Sequence, residues 1–256
     1  MHVEINFHLA TLYGFLLVLA RVSGVFAFVP IPGISAGTPV SRVVLSLMIT
    51  IALSPLWPAP QTDLMLGSLL GWMGAEAAFG LTIGIAVSFL LEGVQMAAQI
   101  IGLQAGYSFA STVDPNTQAD TTTLQLMAQL FAGSMFFILG FDRALIRILA
   151  QSLNTVPAGN YSLSGTAAAA ITRLGSGIFS IGLQLAIPVL GLMLMLDIAI
   201  AILGRLQTQL QLISLAFAIK MLVGVAFLSG LWAFFPAVFE KAGAVTLATL
   251  LKILTH

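Results

Sequence analysis

The stretch LMLGSLLGWMGAEAAFGLTIGIAVSFLLEGVQMAAQIIGLQAGYSFA, Leu64 to Ala110, contains no proline, and Glu76 and Glu92 are its only charges. Sustained apolar runs of about 20 residues signal membrane helices, so this one reads as helix and sets an all-α, polytopic architecture. At 1.5 Å per residue it would extend about 70 Å, against a hydrocarbon core of roughly 30 Å. It must therefore break into two helices, tilt steeply or project out of the bilayer. Within it Gly84, Ser88, Glu92, Gln95, Gln99, Gly102 and Gly106 follow steps of 4, 4, 3, 4, 3 and 4. Those steps keep all seven on one helical face. The upper residues are small, as in membrane helix seams that bring backbones close. The middle carries a carboxylate and two amides, which lipid would not tolerate. A packed seam within the chain and a face lining a wet cavity or subunit junction both satisfy the pattern.

Outward from this run lie five more. Leu9–Val29 ends at the turn PIPG, Val40–Trp57 closes at SPLWPAP, and Leu124–Phe141 follows a polar interruption. Asp120-Thr-Thr-Thr-Leu-Gln places Thr122 as N-cap with Gln125 three residues on, a capping-box pattern. Ala167–Leu203 and Leu212–Phe235 flank GRLQTQLQ and read as a helical hairpin with Arg205, Gln207, Gln209 and Gln211 at its tip. Pro188 lies inside the fifth run and is expected to kink it, because it lacks an N–H for the helical ladder. The basic stretch FDRALIRIL is followed by QSLNTVPAGNYSLSGT, Gln151–Thr166, an ordinary loop by default. With six spans, Arg143, Arg147, Arg173, Lys241 and Lys252 fall on one side and Arg42 and Arg205 on the other, which puts the C-terminus in the cytoplasm.

Composition narrows the function. The chain of 256 residues is 59% hydrophobic and 7% charged, where soluble domains carry roughly 25% charged residues. Nine Lys and Arg balance nine Asp and Glu, so nothing points to nucleic acid. No cysteine is present, which excludes disulfides and thiolate chemistry. Histidine occurs only at positions 2, 8 and 256, leaving no Ser-His dyad or HExxH site within the spans. Asp142 and Asp197 could be imagined as an aspartyl pair, but Asp142 adjoins Arg143 at a span end. The reading is non-enzymatic, with no cofactor and no metal. The ten methionines are scattered and read as packing.

Charges inside spans are Arg21, Glu76, Glu92, Asp197 and Lys220. Such residues usually meet partners or water. Asp197 and Lys220, on the two arms of the hairpin, form a candidate neutralising pair. For Arg21 and Glu76 the sequence leaves snorkelling and packing against another subunit open. A secondary transporter using Glu92 and Asp197 as coupling carboxylates is the alternative function, although inverted repeats and matched broken helices are not evident. An apolar scaffold with no conduit is a third.

The segment GYSFASTVDPNTQADTTT, Gly106–Thr123, interrupts the oily chain with small, hydroxylated and acidic residues and no Lys or Arg. At IIGLQAGYSFASTVDP the sequence resembles the FliR/SctT family of type III secretion export-gate proteins. The matching residues are Gly102-Leu103-Gln104, Gly106, Ser108-Phe109-Ala110 and Val113-Asp114-Pro115. RVSGVFAFVPIPG around Arg21 and GRLQTQLQLISLAF around Arg205 support the match, which covers most of the chain. The chain departs at Phe141-Asp142-Arg143, where flagellar members often carry a Gly-His-like pair, while SFA and VDP lean flagellar.

The resemblance implies a single copy assembled with FliP and FliQ homologues as the core of a helical, protein-conducting pore. It also implies an FlhB homologue on the cytoplasmic side, exported proteins as cargo, lipid contact, and a place in the bacterial inner membrane at the flagellar basal body. Residues 1–166 would be FliP-like and 167–256 a FliQ-like hairpin and tail. The segment after GLQ would be a luminal plug: Gly106, Tyr107, Ser108, Phe109, Ala110, Ser111, Thr112, Val113, Asp114, Pro115, Asn116, Thr117 and Gln118, ending near Thr121. Tyr107 and Phe109 would act as apolar anchors, and Asp114 would accept from neighbouring backbone N–H groups. The face of Glu92, Gln95, Gln99 and Gly102 would be luminal or intersubunit, and the Arg205 tip would be a cytoplasmic-side contact.

Overall fold

A computed structural model describes residues 3–29, 39–58, 66–106, 123–161, 165–206, 212–231 and 235–254. Among these residues the chain is all-α, with eight α-helices, one 3-10 turn and no strand. The helices are α1 (Val3–Phe28), α2 (Pro39–Ala52), α3 (Leu66–Ala105), α4 (Thr123–Ile138), α5 (Phe141–Thr155), α6 (Gly165–Leu206), α7 (Leu212–Leu231) and α8 (Phe235–Leu254). Three carry windows long and apolar enough to cross a membrane: Thr11–Phe28, Gly67–Ala105 and Ala167–Arg205.

The long third run does not break. α3 is one helix of 40 residues, roughly 60 Å long, so it exceeds the hydrocarbon thickness in one piece. α6, with 42 residues, continues through Pro188. α3 contains no proline, and in α6 the single proline removes only one hydrogen bond from a ladder of this size.

The fourth run, by contrast, does break. It ends at Ile138, and Gly140 takes the left-handed backbone (φ 74°) before α5 starts at Phe141. A β-carbon there would crowd the following carbonyl, so glycine suits the residue that separates the two helices. α5 is amphipathic: Phe141, Leu145, Ile148, Leu149 and Ser152 are buried, while Arg143, Arg147 and Gln151 are exposed. The buried positions 141, 145, 148 and 152 recur at three- and four-residue steps. The first five residues of the expected Gln151–Thr166 loop are therefore helix. The C-terminal tail is likewise a helix of 20 residues, α8.

The described chain forms two compact units. The first comprises 1–89, 136–175 and 243–256; the second comprises 90–135 and 176–242. In the first, Leu17, Val22, Val25, Phe79, Ile83 and Leu149 are almost fully buried. Ser46 and Thr50, both buried, donate their hydroxyls to the carbonyls of Arg42 and Ser46, which satisfies them without leaving α2. In the second, Ile101, Ala105, Ala186, Val189 and Met193 form a core cluster flanked by Leu190 and Val223.

Candidate functional site

The end of α3 lies in the second unit. Gly106 takes the left-handed backbone (φ 84°), and its N–H bonds the Leu103 carbonyl at 3.2 Å, closing the helix where the polar segment begins. The candidate plug residues Tyr107 to Gln118 lie outside the described residues, as do Gln207, Gln209 and Gln211. Arg205, in the last turn of α6, is exposed.

The seven-residue stripe spans an arc of about 80° at 3.6 residues per turn, and exposure is graded across it. At one edge Glu92 and Gln99 are exposed; Ser88, Gln95 and Gly106 are half-buried; Gly84 and Gly102, at the other edge, are buried. Gly84 is the seam the small residues suggested, because a β-carbon there would stand 2.5 Å from the Val25 carbonyl of α1. One arc thus serves two purposes, a backbone seam at one margin and an open polar surface at the other.

Off this arc, Gln104 points to α6. Its amide Nε2 donates to Asp197 Oδ2 at 3.2 Å, while Lys220 of α7 forms an ion pair with Asp197 Oδ1. Both carboxylate oxygens are therefore occupied. The trio joins α3, α6 and α7 within one turn of Gly106. Lys220 is 18% and Asp197 36% exposed, so water still reaches the pair and weakens it. The GLQ motif contains Gln104, but spacing alone says nothing of its carboxylate partner.

The first unit holds a second polar site that the sequence did not reveal. Arg21 and Glu76, each 1% exposed, form an ion pair through Arg21 Nε and Glu76 Oε2. Arg21 Nη1 donates to Ser152 Oγ at 3.0 Å, and Nη2 donates to the Val156 carbonyl at 3.1 Å. Glu76 Oε1 accepts the Gly159 N–H at 2.9 Å. The guanidinium also lies 4.7 Å from the Phe79 ring centroid, and Phe79 meets Tyr161 edge-on, whose hydroxyl is 3.0 Å from Thr82 Oγ1. A buried charge pair tolerates its desolvation only when its remaining donors and acceptors are met. Here they are, by α1, α3, α5 and the residues after α5. The two charges are thus partnered within the chain rather than reaching for lipid headgroups.

These features define a class: a polytopic, all-α membrane protein whose intramembrane charges are mostly paired, with a polar segment rooted at the end of its long third helix. Residues 12–244 match the model of the family "Bacterial export proteins, family 1". The flagellar biosynthetic protein FliR of Escherichia coli K12 is 30% identical over 213 residues, covering 83% of this chain and 82% of the relative. Flagellar biosynthetic protein FliR of Buchnera aphidicola subsp. Schizaphis graminum is 25% identical over 255 residues, with 97% and 98% covered. The FliR of Bacillus subtilis 168 is 23% identical over 244 residues, 94% of each chain. The chain belongs to this family of bacterial export proteins. It is a membrane-embedded component of flagellar protein export that works with other parts of that apparatus, and it is not an enzyme.

Proposed function

We propose that the chain is a single-copy core subunit of the flagellar export gate in the bacterial inner membrane at the basal body. It builds the protein-conducting pore with FliP and FliQ homologues and meets an FlhB homologue on the cytoplasmic side. Residues 1–166 act as the FliP-like part and 167–256 as the FliQ-like part. Gly106 to Thr121 plug the conduit, and displacement of that segment opens it to exported chains. The Arg205 tip is a partner contact.

The observation that carries this reading is the position of the polar segment. It starts at Gly106, on the side of α3 that leaves Glu92 and Gln99 uncovered by the chain itself. A transporter using Glu92 and Asp197 is not favoured: the family is one of export proteins, and Asp197 already holds Lys220 and Gln104. Co-expression with the apolar proteins encoded beside it, followed by mass measurement of the purified complex, tests the reading. One copy of this chain with several copies of unlike subunits is the expected composition. A homo-oligomer or a lone chain would contradict it.

A further inference from the structure

Residues 90–105 of α3 are packed almost all round. Leu91, Val94, Ala98 and Ile101 are at most 3% exposed, while Glu92, Gln99 and Leu103 are exposed. The open arc thus carries Glu92, Gln95 and Gln99, while the other polar side chain of this stretch, Gln104, turns to Asp197. It is also mixed in character. Glu92 sits in the middle; at about 100° per residue, Gln95 and Gln99 lie to one side of it and Met96 and Leu103 to the other. Lipid suits the second edge and excludes the first, because hydrocarbon disfavours a carboxylate at mid-helix. Water suits the first edge and leaves Leu103, 60% exposed, uncovered. A protein surface suits both.

Charge accounting says what that surface must bring. Glu76 and Asp197 each hold a cation from this chain. In the second unit the cations are Arg205, Lys220 and Lys241. Lys220 is occupied by Asp197, and among the described residues neither of the others pairs with Glu92. Among the described residues, Glu92 is the carboxylate of α3 and α6 that holds no counter-charge.

We propose that Glu92 receives a lysine or arginine from an apolar helix of another polypeptide, whose flank covers Leu103 and Met96 while its polar atoms meet Gln95 and Gln99. The arc is then an intersubunit face rather than a wall of the lumen. This inference rests on the multi-subunit reading above and adds the chemistry of the contact. A desolvated interfacial ion pair sets register and partner choice, and reversing one charge leaves two like charges facing each other.

The test compares the wild-type complex, co-expressed with its unlike subunits, with the complexes of Glu92→Gln and Glu92→Lys. Recovered complex should fall several-fold for Glu92→Gln and at least tenfold for Glu92→Lys, with the amount and helicity of the variant chain unchanged. Because the chain has no cysteine, Glu92→Cys carries its single thiol. A membrane-impermeant maleimide should label that thiol, read by mass on this chain, at least tenfold more slowly in the complex than in the isolated chain. Wild-type yield for Glu92→Lys overturns the proposal. So does equal labelling in complex and isolated chain, which would place the arc on water. A wild-type chain that purifies without unlike subunits removes the functional reading and this proposal together. A wild-type complex indifferent to Glu92→Lys removes this proposal alone.

Discussion

Arg21→Met is expected to destabilise the protein by about 3–5 kcal/mol, because it leaves a buried carboxylate without its cation. Glu76 would keep only the Gly159 N–H, and Ser152 and the Val156 carbonyl would each lose a donor. Glu76→Leu should cost a similar amount, since it strands the guanidinium at 1% exposure. Combining the two removes both charges and should recover most of the loss. A buried pair replaced by apolar groups of like volume is often neutral, whereas a half-pair is not. Lys220→Met provides the contrast: its partner Asp197 is 36% exposed and retains Gln104, so the loss should be the smaller of the two. Unfolding of the purified chain in detergent measures all four variants. Equal losses for Arg21→Met and Lys220→Met would show that burial does not set the cost.

Gly80→Ala is the second large expectation. A β-carbon at Gly80 would collide with the Arg21 carbonyl and stand 3.0 Å from the Val25 amide nitrogen, and both are backbone. Gly24 on α1 faces the same contact, where a β-carbon would come within 2.6 Å of the Ala77 carbonyl. The two backbones touch, and neither can yield as a flexible side chain would. One methyl group should push α1 from α3 at a cost of about 1–3 kcal/mol or more. It would also disturb Arg21 in its network, because the contact lies at its own carbonyl. Gly74→Ala, two turns earlier on the same helix, meets nothing within 4 Å. It should be neutral or gain about 0.5–1 kcal/mol from restricting the unfolded chain and favouring helix. The Gly80-to-Gly74 difference in the same unfolding assay checks the seam. A loss at Gly74 equal to that at Gly80 would show that helix propensity, not contact, is responsible.

Architecture was legible in this sequence to the extent that hydropathy and helical phase report it. The all-α class follows from the apolar runs, and the seam at Gly84 follows from small residues at four-residue steps. Hydropathy is blind, however, to what covers an apolar surface. The window Thr11–Phe28 is 50% buried and Ala167–Arg205 is 22% buried, yet both read as membrane spans. Phase placed Gly84 and Gly102 with Glu92 on one face, but an arc of about 80° is wide enough for one margin to be covered while the other stays open. The break at Gly140 escaped because apolar residues continue through Phe141, and the turn depends on one left-handed residue. α8 escaped because Glu240, Lys241 and Lys252 make its sequence resemble a polar tail.

The polar sites were legible as charges but less so as contacts. Asp197 and Lys220 stand on neighbouring runs, so opposite charge alone suggested a pairing, and the structure has an ion pair between them. Arg21 and Glu76 are 55 residues apart, and Ser152, Val156 and Gly159 join them from a region that reads as an unremarkable loop. No local pattern encodes such a junction. Gln104 belongs to a recognisable motif, but its contact depends on the packing of α6 beside α3.

The central claim is that Gly106 to Thr121 close a conduit formed with unlike subunits, and an electrical measurement tests it most directly. The complex with a deletion of 107–121, and the wild-type complex, would each be purified with matched subunit composition and reconstituted in a planar bilayer. The account predicts a sealed wild-type complex and sustained ionic current through the deletion complex. An assembled deletion complex as ion-tight as the wild type would contradict it.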